Sequence, residues 1–421
     1  MDTLQKTLPN GATLQGQYRA EFAGVAEAFA ANFAGEEIGA SVCITIDGEP
    51  VVDLWGGLKD ADTQWEEDTL SVVFSSTKGA VALAAHTLID AGELELHRPV
   101  THYWPEFGAN GKDAVTVKMM LDHSAAVPCL RGELKELACC DWDYMVERVA
   151  AAEPFWEPGT RNGYHMMTFG WTVGELVRRA AGQSLGSYLR RALAEPLGAD
   201  FWIGLPESEH HRVAKLTPFK PVRGAELSDF TKALIGQKGS IQSLAFFNNG
   251  GFSAGNPTCW AAEIGGGGGI GNGRSLAKLY APFACGGEAN GQRYVSPETL
   301  ATMGDVAVAT HRDATLLLPT RFGLGFMKSM DNRQELAVAK DSAIIGRCAF
   351  GHVGAGGSIG FADPDARMSF GYVMNKMGPG ILMNERGQGL VDAAYRALGC
   401  DSNASGAWDA VRTGGRGDAP R

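Results

Sequence analysis

The chain contains no run of about 18 consecutive apolar residues, so no membrane-spanning helix is expected. It has no CxxC pair and no Cys/His spacing of the zinc-ligand type. Its eight cysteines are scattered, with only Cys139 and Cys140 adjacent, and no metal site is expected. A basic excess is also missing. The net charge of −11, without any block of like charges, argues against a general nucleic-acid binder. The opening Met1-Asp2-Thr3-Leu4-Gln5-Lys6 lacks the basic and apolar regions of a secretory signal. A secreted form trimmed of its signal fits as well. Unpaired thiols in a reducing cytoplasm are the simpler reading.

What is present suits a compact globular protein. Of the 421 residues, 45% are hydrophobic and 20% charged, enough for a large core. Residues 18–33 show helical periodicity. Ile38–Ile46 and Val51–Trp55 flank Asp47-Gly48, which predicts a β-hairpin. The stretch from Val72 to Ala85 is almost wholly small or apolar and reads as a buried helix. Helical patterns follow at 117–121, 144–152, 172–181 and 185–193. Residues 247–274, with Gly265–Gly269, read as a mobile loop. Strands are expected at 323–327, 352–361 and 368–375, with a turn at Pro364-Asp365, then a helix over 388–398.

This order predicts an α+β fold in which an antiparallel sheet, flanked by helices, is built from both ends of the chain. Residues 1–74 and 275–400 would form the α/β lobe, 75–274 a mostly helical lobe, and 401–421 a flexible tail. The cleft between lobes is the natural place for a site.

Ser75 and Lys78 are three residues apart, which puts both side chains on one helical face. A serine hydroxyl needs a base to become a nucleophile, and a lysine whose pKa is lowered by desolvation can serve. Two competing motifs are less suited. Ser275-Leu276-Ala277-Lys278 repeats the spacing in an ordinary amphipathic helix. Gly251-Phe252-Ser253-Ala254-Gly255 matches GxSxG, yet loop-forming residues flank it where the nucleophile elbow needs a strand and a helix.

Four landmarks in order resemble the serine β-lactamase and penicillin-binding-protein superfamily, and within it the class C-like carboxylesterases called family VIII. They are Ser75-Ser76-Thr77-Lys78, Leu121-Asp122-His123-Ser124-Ala125-Ala126-Val127-Pro128, Trp156 to Tyr164, and Gly351-His352-Val353-Gly354-Ala355-Gly356-Gly357. The resemblance spans roughly residues 20–400 and implies the β-lactamase/transpeptidase-like fold. It implies that Tyr164 is the catalytic tyrosine, whose phenol would ionise readily beside ammonium groups and shuttle the serine's proton. It places His123 in a structural turn, and it gives His165 no certain role.

The chain departs from the β-lactamase pattern twice. Met166 replaces the usual Asn, and His352-Val353-Gly354 replaces Lys-Thr/Ser-Gly. Histidine is only partly charged at neutral pH, so a substrate carboxylate would be held poorly. Gly354 and Ala355 are expected on an edge strand facing the cleft. The amides of Ser75 and Ala355 would form the oxyanion hole.

The implied activity is hydrolysis of short-chain carboxylic esters through a seryl acyl-enzyme, with no cofactor, on a small-molecule ester or amide. Weak β-lactam hydrolysis would be a side activity. The same residues would serve a β-lactamase, an amide hydrolase of the D-aminopeptidase or aminohexanoate type, or an acyltransferase. A non-catalytic sensor on the same fold is the alternative of another class. The oligomeric state is not legible.

Overall fold

The computed structural model describes all residues except 222, 223, 225, 335–340 and 410–421. Its centre is a seven-stranded antiparallel sheet. The strands are β1 (Asp2–Thr7), β2 (Thr13–Tyr18), β3 (Gly39–Ile46), β4 (Glu49–Gly57), β5 (Phe350–Val353), β6 (Ile359–Asp363) and β7 (Met368–Met374). The sheet order is β1-β2-β4-β3-β7-β6-β5, so the two chain ends join where β3 pairs with β7. The α+β architecture is as expected.

The hairpin between β3 and β4 turns on Asp47 (φ 53°) and Gly48 (φ 82°), two left-handed residues that match the twist of the flanking strands. The β6–β7 turn at Pro364-Asp365 is held by the Asp363 carboxylate, which accepts from the amides of Asp365 and Ala366.

Helices cover both faces, which explains why β3, β6 and β7 are buried almost throughout. Helices α1 (Ala23–Asn32) and α7 (Glu385–Ala397) pack on one face, where Phe29, Phe370, Leu390 and Val391 share a core. On the other face lies α6 (Gly273–Ala284), over a notch cut by glycine. A Cβ on Gly371 would stand 2.1 Å from the Gly273 oxygen, so helix and sheet meet backbone to backbone. Beyond this face lie α2 (Ser76–Asp90), α3 (Val117–Leu121), α4 (Trp142–Ala150) and α5 (Phe169–Ala181), joined in a second core. Among the described residues, no helix is long and apolar enough to cross a membrane.

Four expectations are corrected. The strand expected at 323–327 lies at Thr320–Phe322, because the chain turns back at Gly325 (φ 88°) and Met327 makes only isolated bridges, to Phe322 and to Gly351. The strand expected over 352–361 is two strands, broken at Gly356 (φ 88°) and Gly357 (φ 114°), where only glycine is unstrained. The polar hairpin β1–β2 carries no apolar alternation and was not expected. Residues 401–409 are not a loose tail: Trp408 is buried and stacks on Tyr395 at 5.6 Å, and Arg347 pairs with Asp409. Residues 410–421 lie outside the described residues.

Two glycine substitutions should separate geometry from propensity. Gly24 lies in α1 with nothing within 4 Å of an added Cβ. Gly24→Ala is expected to stabilise the chain by about 0.5–1 kcal/mol in chemical denaturation. Gly371→Ala is expected to destabilise it by about 1–3 kcal/mol, since backbone must move. Equal effects of the two would contradict the notch.

Candidate active site

Ser75 stands at the N-cap position of α2, whose residues 76–86 are all buried. The residue before it, Phe74, has φ 46°, a left-handed conformation that costs a non-glycine residue about 1 kcal/mol or more. Local bonds hold this bend. Thr77 Oγ1 donates to the Phe74 oxygen and accepts from Gly269 N–H at 2.8 Å, while Val73 N–H donates to Gly269 O at 2.9 Å. The bend leaves Ser75 half-buried, above a helix that is closed to water.

Lys78 is fully buried beneath it. Its Nζ lies 3.0 Å from Ser75 Oγ and donates to the Gly266 oxygen at 2.6 Å. Desolvation holds its pKa well below the usual lysine range, with no carboxylate offsetting it. The glycine run is therefore no mobile loop. Gly265–Gly269 are buried, and Ile270-Gly271 pairs with Ser71-Val72 leading into the bend. A Cβ on Gly266 would stand 2.3 Å from the Met167 oxygen, so this wall can approach α5 only as glycine.

Tyr164 comes from the segment before α5 and is buried, with its ring centroid 4.9 Å from Lys78 Nζ. Its hydroxyl faces Ser75 without closing a hydrogen bond to any group among the described residues. Its backbone N–H donates to both oxygens of Asp313 at 3.0 Å, and Asp313 also accepts from Thr315 and Leu316. Behind the ring pack His123 (5.0 Å) and Phe322 (5.8 Å). The expectation of an easily ionised phenol is corrected. Burial, the largest influence, pushes the Tyr164 pKa up, and the nearby Asp313 adds to it.

His352, on β5, is also buried, its ring centroid 5.9 Å from Tyr164. Nδ1 lies 2.7 Å from Val353 O, which only an N–H can satisfy, so Nε2 carries the lone pair, and it has no hydrogen-bond partner among the described residues. Burial first, and then Lys78, lowers its pKa to about 3. The partly charged histidine of the sequence reading is thus a neutral one.

Gly354 and Ala355 lie in the turn just after β5 rather than on the strand. Gly354 is walled in: a Cβ would stand 2.1 Å from Val73 O. The turn is tied to the base of α2, because Ser358 Oγ donates to Val73 O (2.8 Å) and Ser76 Oγ donates to His352 O (3.1 Å). The N–H groups of Ser75 and Ala355 have no protein acceptor among the described residues, and both residues are half-buried.

The rival motifs fall elsewhere. Ser275 completes a capping box with Asn272, and Lys278 donates to Gly198 O near the surface. Ser253 is exposed in a loop. Asp122 is engaged by Ser124 and Lys118 rather than by His123, so no triad forms. His123, in a turn with φ 66°, accepts from His165 N–H, and His165 bonds Gly163 O and Val127 N–H. Sequence reasoning missed Gly266, Asp313 and Ser358. A run of glycines offered a signal for the first; the other two carried none.

Residues 23–394 match the family model described as Beta-lactamase. The chain belongs to the β-lactamase family. It is 34% identical over 373 residues to the esterase/beta-lactamase LipL of Mycobacterium tuberculosis, covering 86% of this chain and 83% of that protein. Among solved structures, a family VIII carboxylesterase is similar at 38% identity and TM-score 0.80, covering 91% of this chain and 100% of that one. A penicillin-binding-protein homologue from Caulobacter crescentus is similar at 35% identity and TM-score 0.80, with the same coverage.

The hydroxyls that fasten this family member's β5 turn to α2 share partners, and Ser76 Oγ lies 3.2 Å from Ser358 Oγ. Ser76→Ala and Ser358→Ala should each cost about 1–3 kcal/mol, by stranding buried polar groups. Together they should fall short of additivity by about 0.5 kcal/mol or more in a double-mutant cycle. Strict additivity would show that the two act independently.

Proposed function

We propose that Ser75 is the nucleophile of a serine ester hydrolase, with Lys78 as its base and Tyr164 as the proton relay to the leaving group. The observation that carries this reading is the buried Lys78 Nζ, 3.0 Å from Ser75 Oγ with a depressed pKa. A neutral amine has a lone pair with which to take the serine proton. Ser75 then attacks the ester carbonyl. The free amides of Ser75 and Ala355 receive the oxyanion, each contributing roughly 3 kcal/mol. Tyr164, kept as a phenol by burial, gives its proton to the departing alkoxide and is replenished from Lys78. Gly354 lets the strand end approach the serine. Water reverses the path on the acyl-enzyme.

The neutral His352 favours esters over β-lactams. It offers a lone pair where a cation would bind a substrate carboxylate, and an ester needs no such anchor. Met166, half-buried, supplies no amide for a substrate amide. A residual β-lactam activity is supported by the LipL relative, whose name joins both activities. The unjoined thiols of Cys43, Cys129, Cys139, Cys140, Cys259, Cys285 and Cys348 favour a reducing compartment, which accords with a cytoplasmic location.

Hydrolysis of p-nitrophenyl butyrate tests the assignment. Ser75→Ala and Lys78→Met should each lower kcat by at least about 10³-fold, whereas Ser253→Ala and Ser275→Ala keep it. Tyr164→Phe should fall between. Activity should drop as pH falls through the depressed Lys78 pKa, because protonation removes the base. An acid limb near the ordinary lysine value would contradict this. Nitrocefin kcat/KM should lie at least about 10-fold below that of the ester, the price of one missing charge-assisted contact. Full activity in Ser75→Ala would sink the proposal.

A further inference from the structure

Three thiols that the hydrolytic reaction does not use meet in one place. Cys139 and Cys140 close the 3₁₀ turn Ala138–Cys140, and Cys259 lies in the short helix Pro257–Ala261. Their sulfurs form a nearly regular triangle: 3.8 Å for Cys139–Cys140, 4.0 Å for Cys139–Cys259 and 3.8 Å for Cys140–Cys259. Cys139 and Cys259 are buried, and Cys140 is half-buried. An S–S bond is about 2.05 Å, so none of these pairs is joined. Three thiolates each about 2.3 Å from a common ion stand about 3.8 Å apart in a tetrahedral site and about 4.0 Å apart in a trigonal one.

The backbone is shaped to allow this approach. Leu137 adopts φ 50°, and Cys139 N–H donates to Gly250 O at 2.9 Å. Gly250 has φ 76°, and a Cβ there would stand 2.7 Å from Cys139 N, so a larger residue would part the two loops.

We propose that Cys139, Cys140 and Cys259 form a binding site for one soft, thiophilic cation, cuprous copper. Thiolate sulfur selects such ions. Zinc favours four protein ligands in a structural site, and no histidine or carboxylate joins these three sulfurs among the described residues. Each thiol that binds releases its proton, so affinity rises with pH. An ion there fastens residues 137–141 to the 250–259 segment. That segment carries Phe252, whose ring meets Phe74, the residue before Ser75, edge-on at 6.4 Å.

The test uses the reduced full-length chain under anaerobic conditions, with copper supplied as the cuprous acetonitrile complex against a chromophoric cuprous chelator. Native mass spectrometry should show one copper per chain. Cys140→Ser, at the half-buried position, should weaken retention by more than the roughly 10–100-fold that loss of an outer-shell partner costs. Cys348→Ser, at an exposed cysteine, should leave it unchanged, and copper should raise Tm in the parent chain but not in Cys140→Ser. Unchanged ester turnover in Cys140→Ser would show that this variant is folded. Equal retention by the parent and Cys140→Ser would overturn the proposal. So would loss of binding in Cys348→Ser, preferential retention of zinc, or a mass short by two hydrogens with no copper held, which would mean a disulfide.

Discussion

An amine deprived of water and of any counter-charge governs this molecule. Lys78 is buried on a helix of small and apolar residues, and its polar contacts are Ser75 Oγ and a backbone carbonyl. Burying an ammonium without an anion costs several kcal/mol, so the group is stable there chiefly as the free amine. That single constraint explains much of its surroundings. The wall facing the amine is glycine, so that a carbonyl and not a side chain reaches it. The bend at Phe74 raises the serine to the edge of the dry region. The β5 turn is fastened to the same helix by serine hydroxyls, so the two free amides share one frame with Ser75.

The same dryness acts on the neighbouring groups. Tyr164 is held as a phenol and His352 as an uncharged imidazole. Asp313, which fixes the Tyr164 backbone, has its pKa raised to about 6. At neutral pH the Asp313 carboxylate still carries charge behind the Tyr164 backbone, but Lys78, Tyr164 and His352 face Ser75 as neutral groups. Such a site can stabilise an oxyanion by preorganised dipoles. It has little with which to grip an anionic substrate. The chemistry proposed for Ser75 and the proposed preference for uncharged substrates would share one physical origin.

Much of this was legible in the sequence because local patterns carried it. Asp47-Gly48 marked the hairpin, and the uninterrupted small residues after Ser76 marked a buried helix. The spacing of Ser75 and Lys78 placed them on one face. What escaped depended on contacts distant in the chain. The five glycines at 265–269 look identical whether they form a slack loop or a tight wall, and only packing against Met167 and Gly170 decides. The Tyr164 phenol and the His352 imidazole were misjudged in charge, because burial cannot be read from one segment. Cys259 stands 119 residues from Cys140, so no ligand spacing connects them. Asp313 acts through a backbone N–H 149 residues away, which leaves no trace in residue pattern.

Trp408 ends a stack that runs through Tyr395 to Phe361 on the central sheet. The indole also donates to Asp392, so the last described stretch is pinned to α7 by both its ring face and its N–H. The packed structure therefore extends at least to this tryptophan, past the end of α7. A protein engineer who trimmed at 400, or spliced a fusion partner there, would leave an aromatic column open to water and invite self-association.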